Sequence, residues 1–519
     1  MYYTVDAGEK KQGRGSFVRE AVRGENAMKA GHRKWMLLVA VVVAAAAGAQ
    51  AVEITKGPYF VEITTDGVTV CWEVDAESTG TLEYGPSEGE MRKVSTGEFE
   101  ALHKVRISGL EAGTTYYYRV SEGEAASEMN QFRTLPAQGA FTFVAYGDTR
   151  SNPGSHTLVT EAIRERAPAF VLHTGDLVGY GYEDSLWGKE FFAPAKKLLA
   201  NAAVFAVPGN HEEESANYYK YFGASSGKPW YSFDCVNAHF TMLDSCLDLE
   251  PGSEQYEWLA KDLAATDKRW RFVAFHHPLY SSGAHLSEVG IRNAIEPVLQ
   301  ANNVDMVFVG HDHHYERTLP IASAFGEVHP ITHVVTGGGG APTRPVAGDF
   351  FTARCLSELN YCVVTVDGES CEFSAYDVEG HKIDKLVIVK SGEGYANGYP
   401  GKTAPMELAQ VEGMAQEALG WRNIDLTVKV RKIDEEYEFT APAWGDVTLD
   451  IRWEPAERRL AVEPEQMTVQ IEAGKTAKAA FVIKVKEGDT NAPRAVVKGQ
   501  TKIGEFDFAV TPFSVKRPI

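Results

Sequence analysis

Phe141-Thr142-Phe143-Val144-Ala145-Tyr146-Gly147-Asp148-Thr149-Arg150 is an apolar run that stops at a glycine and an aspartate. Such a run, bounded by a polar turn, reads as a buried strand that delivers a carboxylate at its C-terminal end. The same pattern recurs at 169–174, 204–207, 271–275 and 304–309, each closely followed by a turn rich in Gly, Asp, Asn or His. Between these strands, 158–166, 253–265 and 291–302 carry the apolar spacing of amphipathic helices. Strand and helix alternating in this way predict an α/β domain over 138–390, with a largely parallel central sheet. Ligands of such sheets bind beyond the carboxyl ends of the strands, where these turns lie.

The flanks differ. Over 52–137, Val68, Val70, Trp72 and Val74 alternate with Thr69, Cys71 and Glu73, which predicts a β-sandwich strand with one buried face. The segment Gly109-Leu110-Glu111-Ala112-Gly113-Thr114-Thr115-Tyr116-Tyr117-Tyr118-Arg119-Val120 resembles the late turn and strand of fibronectin type III modules, with Trp72 filling the core. The run 391–401 has linker composition and precedes a helix expected at 406–419, so 391–420 reads as linker and helix. The block 421–519, with strands at 446–453 and 476–485, predicts a second sandwich of Ig-like type without visible chemistry.

A length of 519 residues, with 44% hydrophobic and 24% charged residues, fits an ordinary globular protein of several domains. The formal charge of −20 works against a nucleic-acid scaffold or an anionic membrane as partner. Near the N-terminus, Lys29, Arg33 and Lys34 precede an apolar stretch at 35–47 and the small-residue pattern Ala49-Gln50-Ala51. These features predict a signal peptide within 1–51, with Met28 as the true start, cleaved after Ala51. The apolar stretch is shorter than the ~20 residues of a spanning helix, so the expectation is an exported protein with no stable membrane span after cleavage. Six cysteines (Cys71, Cys235, Cys246, Cys355, Cys362, Cys371) are compatible with disulfides but too sparse for a disulfide scaffold, and no Cys-x-x-Cys pair is present.

The chemistry concentrates in Gly147-Asp148, Gly175-Asp176, Gly209-Asn210-His211-Glu212, His276-His277-Pro278 and Gly310-His311-Asp312-His313. In this order, each at a strand end, the turns resemble the blocks of the calcineurin-like metallophosphoesterases. The leading fibronectin-like module, His285 nine residues after His276, and Tyr315-Glu316-Arg317 favour the purple acid phosphatase branch. The resemblance implies an α/β core of mixed β-sheets flanked by helices, behind the N-terminal fibronectin III-like β-sandwich; the C-terminal Ig-like β-sandwich is read from its strand pattern alone. The resemblance also implies two metal ions (Fe, Zn or Mn): Asp148 and His313 on the first, Asn210, His276 and His311 on the second, and Asp176 bridging. Carboxylates and imidazoles suit such cations, and two ions about 3.5–4 Å apart can clamp the attacking and leaving oxygens of an in-line displacement. The family's phosphate pocket maps onto His211 and His285, which could protonate the leaving oxygen or hold phosphoryl oxygens. His277 is open between a site role and a structural one.

Two departures stand out. The family's tyrosinate ligand three residues after the bridging aspartate is missing, because Asp176 is followed by Leu177, Val178 and Gly179; Tyr180 and Tyr182 come too late. The first block also lacks the Asp-x-His ligand of other branches, since Arg150 stands there. Arg150 cannot ligate a cation; it could hold a phosphate oxygen bidentately or form a structural ion pair. His156 and Asn152 are further candidates for the first metal shell, and no purple charge-transfer band is expected. The glycine run Gly337-Gly338-Gly339-Gly340 would let backbone pass close to the site, while Trp187, Tyr218, Tyr219 and Trp230 would shape a pocket or pack the core. The expected function is hydrolysis of a small phosphate monoester by in-line attack of a metal-bound hydroxide. The alternatives are a phosphodiesterase on the same metals, or a non-catalytic surface or adhesion protein.

Overall fold

The computed structural model describes residues 52–519 apart from 98, 224–226, 327, 392–395, 398–401, 420–421, 426–431, 455–459, 486–492, 511–512 and 517–519. The signal-peptide expectation and most of the 391–401 run lie outside the described residues.

The central strand Phe141–Tyr146 is buried on both faces, and its side chains sort by parity. Phe141, Phe143 and Ala145 point into one core, Val144 and Tyr146 into another. A strand covered on both sides must be apolar throughout, which is why it reads as a continuous run rather than an alternation. It pairs in parallel with Phe170–His173 and antiparallel with Asn360–Asp367, within a seven-stranded sheet. A second seven-stranded sheet carries Trp270–Ala274 and Met306–Val309 in parallel, then turns antiparallel at Tyr315–Thr318. The single, largely parallel sheet expected from the alternation is thus two mixed sheets. They pack face to face through aromatics that meet edge to face: Phe143 lies 5.1 Å from Phe240, 5.3 Å from Phe272 and 5.9 Å from Phe308, ring centre to ring centre. Ring pairs at such spacings add to the large apolar area that each ring buries.

Helices cover the outer faces. Pro153–Arg164 and the π-helical turn Trp187–Phe192 pack on the first sheet through Val159, Ile163, Trp187 and Phe191. Glu254–Ala265 and Val289–Ala301 cover the second through Leu259, Leu263, Ile295 and Leu299. Trp187 and Tyr218 are fully buried core residues, so packing rather than a pocket accounts for them.

The N-terminal region forms a three-stranded and a five-stranded sheet around Phe60, Val70, Trp72, Leu82, Tyr118 and Phe132. The strand Gly67–Ser78 departs from the one-face expectation, because Thr69, Cys71 and Glu73 are buried as well. The second face is docked on the α/β region. Cys71 and Tyr59 enter the core that holds Trp187 and Phe192. Glu73 pairs with Lys56 and Lys220, Lys56 reaches Asp184 at 2.8 Å, and the Tyr118 hydroxyl donates to the Ala200 carbonyl at 2.8 Å.

Beyond the core, the helix Met406–Ala418 packs Leu408, Val411 and Ala415 against two further sheets. One holds Lys432–Thr440 and Thr476–Val485, the other Val447–Glu454 and Arg494–Thr501, with Phe439, Leu449, Ile451 and Phe481 between them. All six cysteines are unpaired. No helix among the described residues is long and apolar enough to cross a membrane.

Candidate metal centre

The five turns converge where the two sheets meet. The first sheet supplies Asp148, Asp176 and Asn210 just beyond its strands Phe141–Tyr146, Phe170–His173 and Ala203–Ala206. The second supplies His276, His311 and His313 beyond Trp270–Ala274 and Met306–Val309. Asp148, Asp176 and His311 hold left-handed backbone conformations, with φ of 59°, 56° and 70°. Non-glycine residues there cost about 1–3 kcal/mol each and persist where their surroundings fix them. The fixing bonds are present: His311 N–H donates to Asp148 Oδ2 at 2.9 Å, and His211 N–H to Asp176 Oδ1 at 3.1 Å. Gly310 is required by close approach, since a Cβ there would sit 2.3 Å from Asp148 Oδ2. Gly209 is required in the same way by Asp176 Oδ1, also at 2.3 Å.

Glu212, quoted above without a role, organises the turns. Fully buried, it accepts four backbone N–H groups: Asp176 at 2.9 Å and Gly209 at 2.7 Å on one oxygen, Leu177 at 2.9 Å and Val178 at 3.2 Å on the other. Burial and the Asp176 charge push its carboxyl group upward in pKa, while these N–H groups pull it back.

At the second metal position the fit is good. His276 Nδ1–H donates to the Thr174 carbonyl at 2.9 Å, which leaves Nε2 as a bare lone pair. That lone pair lies 3.1 Å from Asn210 Oδ1, 3.2 Å from His311 Nδ1 and 3.3 Å from Asp176 Oδ1. Electron-pair donors gathered this closely suit a shared cation far better than one another. Burial lowers the pKa of His276 and His311, aided by their histidine neighbours, so both rings stay in the neutral form a metal needs.

The first position differs. His313 Nδ1–H donates to the Pro342 carbonyl at 2.9 Å, and burial lowers its pKa to about 4. Its free Nε2 accepts from Arg150 Nη2 at 3.2 Å, while Arg150 Nε donates to Asp176 Oδ2 at 3.1 Å. His313 Nε2 stands 3.6 Å from Asp148 Oδ1. Asp148, Asp176 and His313 are therefore brought together, but around a guanidinium. Burial, then Asp176, hold the Asp148 carboxyl well above the usual carboxylate range, with Arg150 opposing.

Neither further candidate for this shell reaches it. His156 is committed to the Glu190 carbonyl and the Tyr146 hydroxyl, at 2.9 and 3.3 Å. Asn152 caps the helix Pro153–Arg164 by accepting from Ser155 N–H. Tyr180 and Tyr182 are exposed and rest on each other, 5.7 Å between ring centres.

The pocket histidines line the opening. His211 Nδ1–H donates to the Gly179 carbonyl at 2.7 Å and turns Nε2 toward Asp176 Oδ2, 3.9 Å away. His285 stacks over His311 at 4.1 Å, and burial lowers its pKa. His277 accepts a hydrogen bond from the Ser245 hydroxyl at 2.9 Å, with its ring 4.7 Å from His311. Sequence reasoning missed Arg344, whose Nη1 donates to the His285 ring at 2.7 Å and whose N–H donates to the His313 carbonyl at 2.9 Å. The only local signal was its place just after the glycine run.

Comparison with known proteins supplies the family. Residues 141–315 match the calcineurin-like phosphoesterase family, and residues 59–134 match the purple acid phosphatase N-terminal domain. Purple acid phosphatase 18 of Arabidopsis thaliana is 33% identical over 51% of this chain and 66% of its own length. Purple acid phosphatase 21 of the same plant is 31% identical over 51% of this chain and 67% of its own length. The chain thus spans about two thirds of these curated relatives. A purple acid phosphatase from yellow lupin shares the fold, with a TM-score of 0.57 at 21% identity over 64% of this chain and 74% of that one. The site and the relatives together assign the chain to the calcineurin-like phosphoesterases, as a member of the purple acid phosphatase group.

Proposed function

We propose that the protein is an exported, metal-dependent phosphatase that hydrolyses small phosphate monoesters. The observation that carries this reading is the meeting of Asp176 Oδ1, Asn210 Oδ1, His276 Nε2 and His311 Nδ1 within 3.0–3.3 Å contacts at the sheet ends. These four residues would hold the cation of the second position. In the family's two-ion arrangement, Asp148, Asp176 and His313 would hold the first. When bound, the cation withdraws electron density from the phosphoryl group and eases water attack.

The chain's own side chains do the rest. Arg150 and Arg344 present guanidinium donors to phosphoryl oxygens, whose planar fork matches that geometry. His211, its Nδ1–H engaged by Gly179, presents Nε2 where it can pass a proton to the leaving oxygen. His285, stacked on His311 and tied to Arg344, closes one side of the opening. The N-terminal two-sheet region is read as a fibronectin III-like module and the C-terminal one as an Ig-like module; both serve as flanks to this site. Monoesters are favoured because the relatives are phosphatases by name.

The test is kcat/KM for p-nitrophenyl phosphate against bis-p-nitrophenyl phosphate, in Mn, Fe or Zn, with Asn210→Ala as control. A large ratio in favour of the monoester, abolished by the substitution, is expected. A ratio favouring the bis ester would make the protein a diesterase, and no turnover of either would return it to a binding role.

A further inference from the structure

The first metal position is built on residues that do not suit a metal. Its shell lacks a tyrosine three residues after Asp176 and a histidine two residues after Asp148. The position of that missing histidine is filled by Arg150, which cannot donate an electron pair. The guanidinium lies among the three remaining donors, bonded to Asp176 Oδ2 at 3.1 Å and to His313 Nε2 at 3.2 Å, with its side chain 15% exposed. A cation that shared those two donor atoms would have to displace it.

The backbone on either side of Arg150 is pinned. Thr149 N–H donates to the Asp176 carbonyl at 3.0 Å, and the Thr149 hydroxyl to the Leu177 carbonyl at 3.0 Å. On the other side, Ser151, at φ 70°, donates its N–H to Glu190 at 3.1 Å, and the same carboxylate accepts Gly179 N–H at 2.7 Å. Arg150 is thus held at the site by its main chain as well as by its side chain.

We infer that this chain takes one divalent cation, at the second position, and that the Arg150 guanidinium substitutes permanently for the first. The inference rests on the phosphatase reading and narrows it. Charge makes the exchange workable. Two carboxylates, one divalent ion and one guanidinium sum to a net +1, still attractive to a phosphate anion, against +2 for a pair of divalent ions. The fork also has N–H groups to spare. Of the five in a guanidinium, one on Nε and one on Nη2 are spent on Asp176 and His313, and Nη1 reaches Ser151 Oγ at 3.4 Å. One N–H each on Nη1 and Nη2 then remains for a phosphoryl oxygen, which the family's first ion would otherwise hold.

The experiment is metal counting. The full protein is equilibrated with excess Mn2+, passed through a desalting column and measured by plasma mass spectrometry and by electron paramagnetic resonance. One ion per chain and the spectrum of an isolated Mn2+ are expected for the wild type. Arg150→His, which restores the Asp-x-His pattern, is expected to raise the count to two and produce a spin-coupled spectrum. Two ions or a coupled spectrum in the wild type would overturn the inference, and so would a count that stays at one in a folded Arg150→His. A folded wild type that retains no ion in Mn2+, Fe2+ or Zn2+ would instead remove the phosphatase reading beneath it.

Discussion

Glu212→Gln isolates the part that backbone organisation plays in the site. The carboxylate accepts the N–H groups of Asp176, Leu177, Val178 and Gly209, two on each oxygen. A glutamine keeps one oxygen and turns an NH2 group toward the other two donors, so two buried N–H groups lose their acceptor. Each unsatisfied buried donor costs about 1–3 kcal/mol, giving roughly 2–6 kcal/mol in all. The loss falls on the two turns that hold Asp176 and Asn210, and hydrogen exchange of the peptide covering 174–180 reads it directly. At about 1.4 kcal/mol per tenfold, exchange in the variant is expected at least ~30-fold faster. Metal affinity is expected to fall about 10- to 100-fold, as for other groups that orient ligands. Exchange within threefold of the wild type would refute the reasoning, because the four N–H groups would then have other acceptors.

Gly310→Ala puts a Cβ 2.3 Å from Asp148 Oδ2, and is expected to abolish turnover while the far-UV spectrum stays native. Arg344→Ala is expected to lower kcat/KM about 10- to 150-fold, from the ~1.5–3 kcal/mol of a hydrogen bond to a charged group, mainly through KM. His239 sits between Asp234 and Asp262, at 2.7 and 2.9 Å. Burial works against its charge, but hydrogen bonds to Asp262 and Asp234 outweigh it and raise its pKa. A raised histidine pKa stabilises the fold fully below the unfolded value of about 6.5, and that contribution is lost as pH rises through the folded value. The melting temperature of His239→Gln is therefore expected to fall furthest below wild type near pH 6 and to converge with it in alkali; a constant gap would rule this out.

Most of the candidate site was legible in the sequence because its candidate ligands sit in turns next to their strands. Gly147-Asp148 and Gly310-His311 can be recognised from a few residues each, and their order supplies the rest. The mixed β-sheets came from the family resemblance and not from the strand pattern, since Phe141–Tyr146 would read as the same apolar run beside parallel or antiparallel neighbours. The burial of Cys71 and Glu73 was hidden for a related reason. Their face is covered by residues such as Trp187 and Tyr221, distant in the chain, and a period of two reports only the nearer core. Glu212 and Arg344 act on backbone and rings far away in sequence, 36 residues from Asp176 and 59 from His285, where no local pattern points. Arg150 could be read as a phosphate ligand or an ion-pair partner from its type alone; only its neighbours Asp176 and His313 show which donors it engages.

The two face-to-face sheets share the donor set between them: Asp176 and Asn210 belong to one, His276 and His311 to the other. An ion seated there is a removable rivet through the seam of the molecule. A chelator would then do more than silence a site. It would remove one of the links between two sheets that otherwise meet through their phenylalanines, so that resistance to proteases would rise and fall with the supply of metal.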